Sequence, residues 1–302
     1  MWLLFSFLAA FSVATKDVYS KKAVLGANKY LVVWAMNVFS IPLLFIGAGV
    51  GLFHLEFASV DTTFWYAMIV GVVVNILALI LYFQSVKLSP ISYVIPLMAF
   101  VPVFSVPVSY IAAIFLPGAF KTVSLIGFCG IFLIFVGAYL LNMKEIADKG
   151  VFFPIKMLFK EKGSMLMIMV SFLWSISAIF DGIAVHHSSP MFYLVVMTIV
   201  TSVIMTFILF IKMKGSDIKE QLSNSYTSLF GVALFNIMGM AFYLIAIGLT
   251  TKIPYVLAIR SVNLLIVTVL GYMLFKEKNI MERAVGTCFM VGGLALIAIF
   301  SR

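Results

Sequence analysis

Apolar residues occupy this chain in long blocks separated by short polar or Gly/Pro-rich breaks. Cut at those breaks, it yields ten blocks, at residues 2–23, 29–53, 63–86, 90–115, 119–142, 164–187, 190–211, 226–249, 254–275 and 280–300. A helix crosses the hydrocarbon core of a bilayer with roughly 20 mainly apolar residues, so each block is long enough to span. No water reaches that core to satisfy backbone N–H and C=O groups. Each block must therefore be helical, since runs of this length are too long for barrel strands. The pattern predicts an all-α integral membrane protein with ten transmembrane helices. The first block is read as a retained helix: Ser12-Val13-Ala14 could suit a signal peptidase, but no basic residue precedes the apolar run.

One long connection, 143–163, divides the blocks five and five, and it carries Lys144, Lys149, Lys156, Lys160 and Lys162 around Glu145, Asp148 and Glu161. The expected organisation is a first half at 1–142, a basic cytoplasmic linker at 143–163 and a second half at 164–302. Within the linker, Val151–Phe159 mixes apolar residues with lysines, as either a short surface helix or an ordinary charged linker would.

The two halves repeat each other. A shift of 161 residues lays Asn75 on Asn236, Tyr82 on Tyr243 and Leu88 on Leu249. One residue later, Tyr93-Val94-Ile95 meets Tyr255-Val256-Leu257 and Tyr110 meets Tyr272. Polar residues are costly in lipid, so their coincidence weighs more than that of apolar ones. Gly130 and Gly137 recur as Gly286 and Gly293, and a spacing of seven puts each pair on one helix face, as close helix contact requires. With five crossings per copy, an odd number, the second copy must enter the membrane upside down. Such inverted repeats are typical of secondary transporters, with a midplane site between the copies.

These residues give the chain a family likeness. It resembles the drug/metabolite transporter superfamily in its ten-helix form, with two EamA-like five-helix repeats. The likeness rests on Asp17-Val18-Tyr19-Ser20-Lys21-Lys22-Ala23 closing the first block and Leu88-Ser89-Pro90-Ile91-Ser92-Tyr93 opening the fourth. Phe275-Lys276-Glu277-Lys278 after the ninth and the paired glycines of the fifth and tenth complete it. It implies export or exchange of a small metabolite. Substrates across the superfamily include amino acids, sugar phosphates, nucleotide sugars and drugs, so it names none of them here.

Composition agrees with the membrane assignment: 64% of residues are hydrophobic and 10% charged. A net charge of +9 would suit nucleic acid, but the bases lie in the connections. Fifteen fall in the odd-numbered ones: Lys21, Lys22, Lys29, Lys87, the five linker lysines, Lys212, Lys214, Lys219, Lys276, Lys278 and Arg283. The other side holds Lys121, Lys252 and Arg302. This bias puts the odd connections in the cytoplasm and both termini outside, whereas the family likeness implies termini inside. Cys129 and Cys288 sit in apolar blocks and no N-glycosylation sequon occurs, so neither a disulfide framework nor a glycan is indicated.

Four ionisable residues lie within the blocks: Lys16, Asp17, Asp181 and Arg260. Asp181 and Arg260 each sit roughly 9 Å in from the same side, at 1.5 Å per residue, and are expected to form an interhelical ion pair, static or gating. Lys16 falls opposite Asp181 when Ser12 is laid on Ser177. Lys16 and Asp17 diverge by about 100° around the helix, so they need not pair, which leaves Asp17 as the expected proton carrier unless both side chains snorkel to the headgroups. Asn75, Asn236 and Asn263 lie near the midplane, where an amide serves either a solute or a neighbouring helix. Tyr82, Tyr93, Trp174, Tyr243 and Tyr255 offer apolar walls with polar tips, or act as interfacial anchors. Pro90, Pro96, Pro102 and Pro107 crowd the fourth block while the ninth has only Pro254, so the fourth is the expected moving part. His186 and His187 are expected to be solvated turn residues that could sense pH.

No metal-ligand spacing, phosphate loop or nucleophile–base set occurs, so no cofactor or metal is implied. The implied partners are a small-molecule solute, the lipid bilayer and protons, with no nucleic acid; the oligomeric state is not set by the sequence. The expected function is a secondary transporter in the cell membrane, working by alternating access with proton coupling or solute exchange. An uncoupled facilitator is the alternative within transport, and a membrane-embedded enzyme or receptor the rival class.

Overall fold

In a computed structural model the described residues are 1–49, 60–89, 94–115, 123–140, 161–264, 266 and 280–300. Among them the chain is helical with no strand, as a backbone without water requires. The helices are α1 (Trp2–Gly26), α2 (Lys29–Val38), α3 (Ser40–Gly49) and α4 (Thr62–Leu88), then a 3₁₀ turn (Ile95–Ala99) that runs into α5 (Phe100–Phe115). There follow α6 (Leu125–Leu140), α7 (Lys162–His186), α8 (Pro190–Lys212), α9 (Gly215–Gly248), α10 (Ile253–Arg260) and α11 (Ile280–Phe300). Asn28, Asp61 and Ser189 start α2, α4 and α8 by accepting from the backbone N–H of Tyr30, Phe64 and Phe192, the role their short polar side chains fill best. Seven helical segments are long and apolar enough to cross a membrane, and Leu125–Gly137 and Cys288–Ile297 form shorter apolar helices. Apolar Phe11, Ile69, Val203 and Phe207 face outward while Lys16, Asp17, Asp181 and Asn263 are buried, the reverse of a water-soluble surface. The protein is a multi-pass integral membrane protein.

Several boundaries differ from the sequence expectation. The second block breaks at Phe39, because Pro42 lacks an N–H and its ring crowds the Val38 carbonyl one turn back. Ser40 bridges the break, its Oγ donating to Met36 O at 2.7 Å and Ala233 O at 3.3 Å. The eighth block begins at Gly215, well before residue 226. Its added turns are polar and helix-compatible, and Gln221 Oε1 accepts the Asn28 N–H at 2.7 Å. His187 is not merely solvated: its Nδ1 lies 2.9 Å from Asp61 Oδ2, tying the end of α7 to the start of α4. The linker over 143–160, with Val151–Phe159, lies outside the described residues, as do Pro90, Tyr93 and Tyr272.

Packing follows a few extensive pairings: α4 with α7, α1 with α9, and α6 with α11. In α5, which carries Pro107 in its interior, Ser105 and Ser109 turn their hydroxyls onto the Pro102 and Val106 carbonyls, both at 2.7 Å. Ser171 of α7 donates to Leu97 O at 3.0 Å. Glycines set the α6–α11 spacing. A Cβ on Gly293 would sit 2.5 Å from Gly130 O, and one on Gly137 would sit 2.6 Å from Gly286 O. Both backbones approach where a methyl group cannot fit. Gly137→Ala should therefore lower stability by about 1–3 kcal/mol, as overpacking does, while Gly292→Ala, which meets nothing within 4 Å, should be neutral. Apparent unfolding midpoints in detergent check this; equal effects would remove the close contact from the account.

Candidate functional site

All the described helices except α6 and α11 contribute to the wall of one central cavity of about 1060 Å³, a volume that includes space continuing into solvent. From the first half come Lys16, Asn37, Ser40 and Asn75; from the second, Trp174, Ser177, Asp181, Thr198, Thr201, Asn236, Tyr243, Arg260, Ser261 and Asn263. Eight of the residues singled out in the sequence thus share this wall: Lys16, Asn75, Trp174, Asp181, Asn236, Tyr243, Arg260 and Asn263. Methionine and leucine fill the gaps between them, among them Met36, Leu79, Met98, Leu194 and Met240.

The four charges are not arranged as expected. Lys16 Nζ curls back to Asp17 Oδ1 at 3.3 Å, with side-chain exposures of 6% and 4%. Divergence around the helix does not prevent this, because the flexible lysine stem can bend and burial in a low dielectric strengthens the attraction. Asp17 also accepts from Tyr82 OH at 3.1 Å and from Asn263 Nδ2 at 3.4 Å. Asp181 forms no ion pair among the described residues; Tyr193 donates to its Oδ1 at 2.7 Å and Tyr243 to its Oδ2 at 3.3 Å. Arg260 instead lies over the Tyr243 ring, its Cζ 4.7 Å from the centroid. One tyrosine thereby stands between two charges that were expected to touch.

The remaining candidates divide. Tyr82 stands behind the wall, holding Asp17 and packing on Trp174 with ring centroids 5.4 Å apart. Trp174 Nε1 donates to Asn75 Oδ1 at 3.4 Å, and Asn236 lines the cavity with its amide. Tyr255 is not at the cavity. Its hydroxyl, 3.3 Å from Ser124 Oγ, rests against Gly127 and docks α10 on α6. Tyr93 lies outside the described residues. The sequence reading missed Tyr193, whose place near a helix start resembles an interfacial anchor, and it missed Thr198 and Thr201. Those threonines carried a usable signal, since a spacing of three puts two hydroxyls on one face of an apolar helix.

The fourth and ninth blocks are more alike than their prolines suggest. The offset of 162 that matches Tyr93 with Tyr255 carries Ala99, the end of the 3₁₀ turn, onto Ser261. There α10 ends and the chain tightens, with Val262 N–H donating to Ile259 O at 3.0 Å and Leu264 N–H to Ser261 O at 3.1 Å. Both segments thus change pitch beside the cavity, the fourth among its prolines and the ninth at Arg260 and Ser261, six residues beyond Pro254. Among the described residues, no group of three His, Cys, Asp or Glu is placed to hold a metal.

Comparison with known proteins agrees with this architecture. Residues 161–299 match the EamA-like transporter family. A solved structure described only as "Crystal structure of protein" superposes with a TM-score of 0.71 at 16% identity, over 100% of this chain and 97% of that one, which shows a shared fold. No curated protein matches the sequence. The second half of the chain is thus similar to the EamA-like transporter family, part of the drug/metabolite transporter superfamily, a likeness that suggests a membrane transporter of small solutes.

Double-mutant cycles distinguish the two carboxylates. Lys16→Met with Asp17→Asn should show a coupling of about 0.5–3 kcal/mol in unfolding free energy, as residues in contact do. Asp181→Asn with Arg260→Gln should show the smaller coupling, because a ring separates them. The opposite ranking would restore the ion pair that the geometry denies.

Proposed function

We propose that the protein is a secondary transporter that carries a small metabolite through the central cavity by alternating access, with 1–142 and 164–302 as inverted five-helix repeats. The reciprocity of the packing carries this reading. The first helix of each half lies on the third of the other, α1 on α9 and α7 on α4. The second helices meet as α2 and α8, and the fifth as α6 and α11. Exchanging the halves leaves this set of pairings unchanged, as a two-fold relation between repeats requires, and the cavity lies between them. An asymmetric arrangement of two such halves has a counterpart in which they trade conformations and the cavity opens to the opposite side.

Proton coupling then falls to a different acid from the one the sequence favoured. Asp17 is engaged by Lys16, and protonating it would strand that buried ammonium without its partner. Asp181 is held by two tyrosine hydroxyls, which donate to a carboxylate and can equally accept from a carboxylic acid. It can therefore change protonation state without leaving a bare partner.

In proteoliposomes screened against labelled metabolites, the intact protein should exchange label across the bilayer and accumulate it against its gradient when a pH gradient is imposed. Asp181→Asn should abolish the accumulation and keep the exchange. Full gradient-driven uptake by that variant would leave an exchanger or facilitator, and chemical alteration of the label without exchange would leave an enzyme.

A further inference from the structure

The four charges around the cavity are not equally satisfied. Lys16 and Asp17 take each other, and Asp17 has two further donors in Tyr82 and Asn263. Asp181 has two hydroxyl donors. Arg260, on the cavity wall, has the face of Tyr243 at 4.7 Å and neither a hydrogen bond nor an ion pair among the described residues. A guanidinium carries five N–H donors in its plane and does not lose its proton. A ring face attracts its charge but accepts none of those in-plane donors. Arg260 is also the last residue of α10, at the point where the helix gives way to the tightened turn at Ser261 and Val262, so its head group is presented at the irregular part of the wall. Both acids have hydrogen-bond donors from the protein, whereas the guanidinium's own donors are left for something that enters.

Resting on the transporter reading of the cavity, we propose that Arg260 is the docking point for a carboxylate and that the transported solute is a small organic monoanion with an apolar body. A carboxylate matches the guanidinium fork with two parallel N–H···O bonds, which a single ammonium could not provide. The apolar body rests against Met36, Leu79, Met98, Leu194 and Met240. Charge count sets the limit at one. Lys16 is already committed to Asp17, so a phosphate monoester, largely dianionic at neutral pH, would bring a second negative charge with no cation to meet it in a low dielectric. The four protein charges sum to zero, two bases against two acids. A carboxylate that arrives together with a proton on Asp181 preserves that neutrality, which gives a physical reason for solute and proton to travel together.

Phenylglyoxal, which adds to arginine guanidinium groups, reads occupancy of this position directly on the unmodified full chain, so no variant has to fold. The protein is reconstituted in phosphatidylcholine vesicles free of fatty acid and treated in neutral buffer, and peptide mass spectrometry follows the adduct at Arg260, with Arg283 and Arg302 as in-chain references. Hydrocinnamate should slow the Arg260 adduct several-fold while its uncharged amide, hydrocinnamamide, and the dianion phenyl phosphate leave it unchanged. No slowing by hydrocinnamate, or equal slowing by acid and amide, or stronger protection by phenyl phosphate, would overturn the proposal. The transport reading is judged separately: exchange of some other solute without protection by hydrocinnamate refutes the carboxylate site alone. Protection without exchange of any solute supports the site and refutes transport.

Discussion

Inside a bilayer a polar group must find its partner within the protein, and the structure is arranged around that scarcity. Backbone groups are satisfied by helix, so the chain becomes a set of helices whose sides face lipid or one another. Beside the prolines of α5, serine hydroxyls donate to the Pro102 and Val106 carbonyls. Where α6 meets α11, glycines let the backbones close without leaving a gap. The same scarcity makes the cavity conspicuous, because charged groups, amides and hydroxyls from eight described helices are gathered on one surface instead of being avoided.

The tyrosines beside the two acids show how the constraint turns into function. An interhelical hydrogen bond in a membrane contributes only about 0.6 kcal/mol on average, too little for these contacts to be the main support of the fold. Their value lies in placement. Tyr82 and Tyr243, which match at the sequence offset of 161, donate to Asp17 of α1 and Asp181 of α7 respectively. The carboxylates differ in their second partners: a lysine ammonium for Asp17, a second phenol for Asp181. On the proposed mechanism, that difference makes one acid a fixed charge and the other a proton site, and leaves Arg260 to receive the solute.

The all-helical class, the glycine pairs and most of the cavity's polar residues were legible in the sequence because each is a property of one helix or of a spacing. A polar residue in an apolar run announces itself by its cost. Contacts between helices were not legible in the same way. Asp181 and Arg260 have matching depths, yet depth says nothing about Tyr243, which comes between them. Lys16 and Asp17 looked divergent when only the helix angle was considered and not the reach of the lysine stem. Tyr255, matched to Tyr93 by sequence, docks α10 on α6 because the apposed Gly127 leaves room for it. The break at Phe39 could have been read from Pro42, whose effect on the preceding turn is local.

Alternating exposure of one cavity is the central claim, and two-sided chemical access tests it most directly. Met240 lines the cavity, and Met240→Cys in a variant with Cys129 and Cys288 replaced by serine gives a single reporter thiol there. A membrane-impermeant maleimide is added to right-side-out and to inside-out vesicles, with a trapped polar dye reporting leakage. The account predicts that the thiol reacts from both sides while the dye stays trapped. Reaction from one side only under every imposed gradient, or reaction from both sides together with loss of the dye, would contradict it.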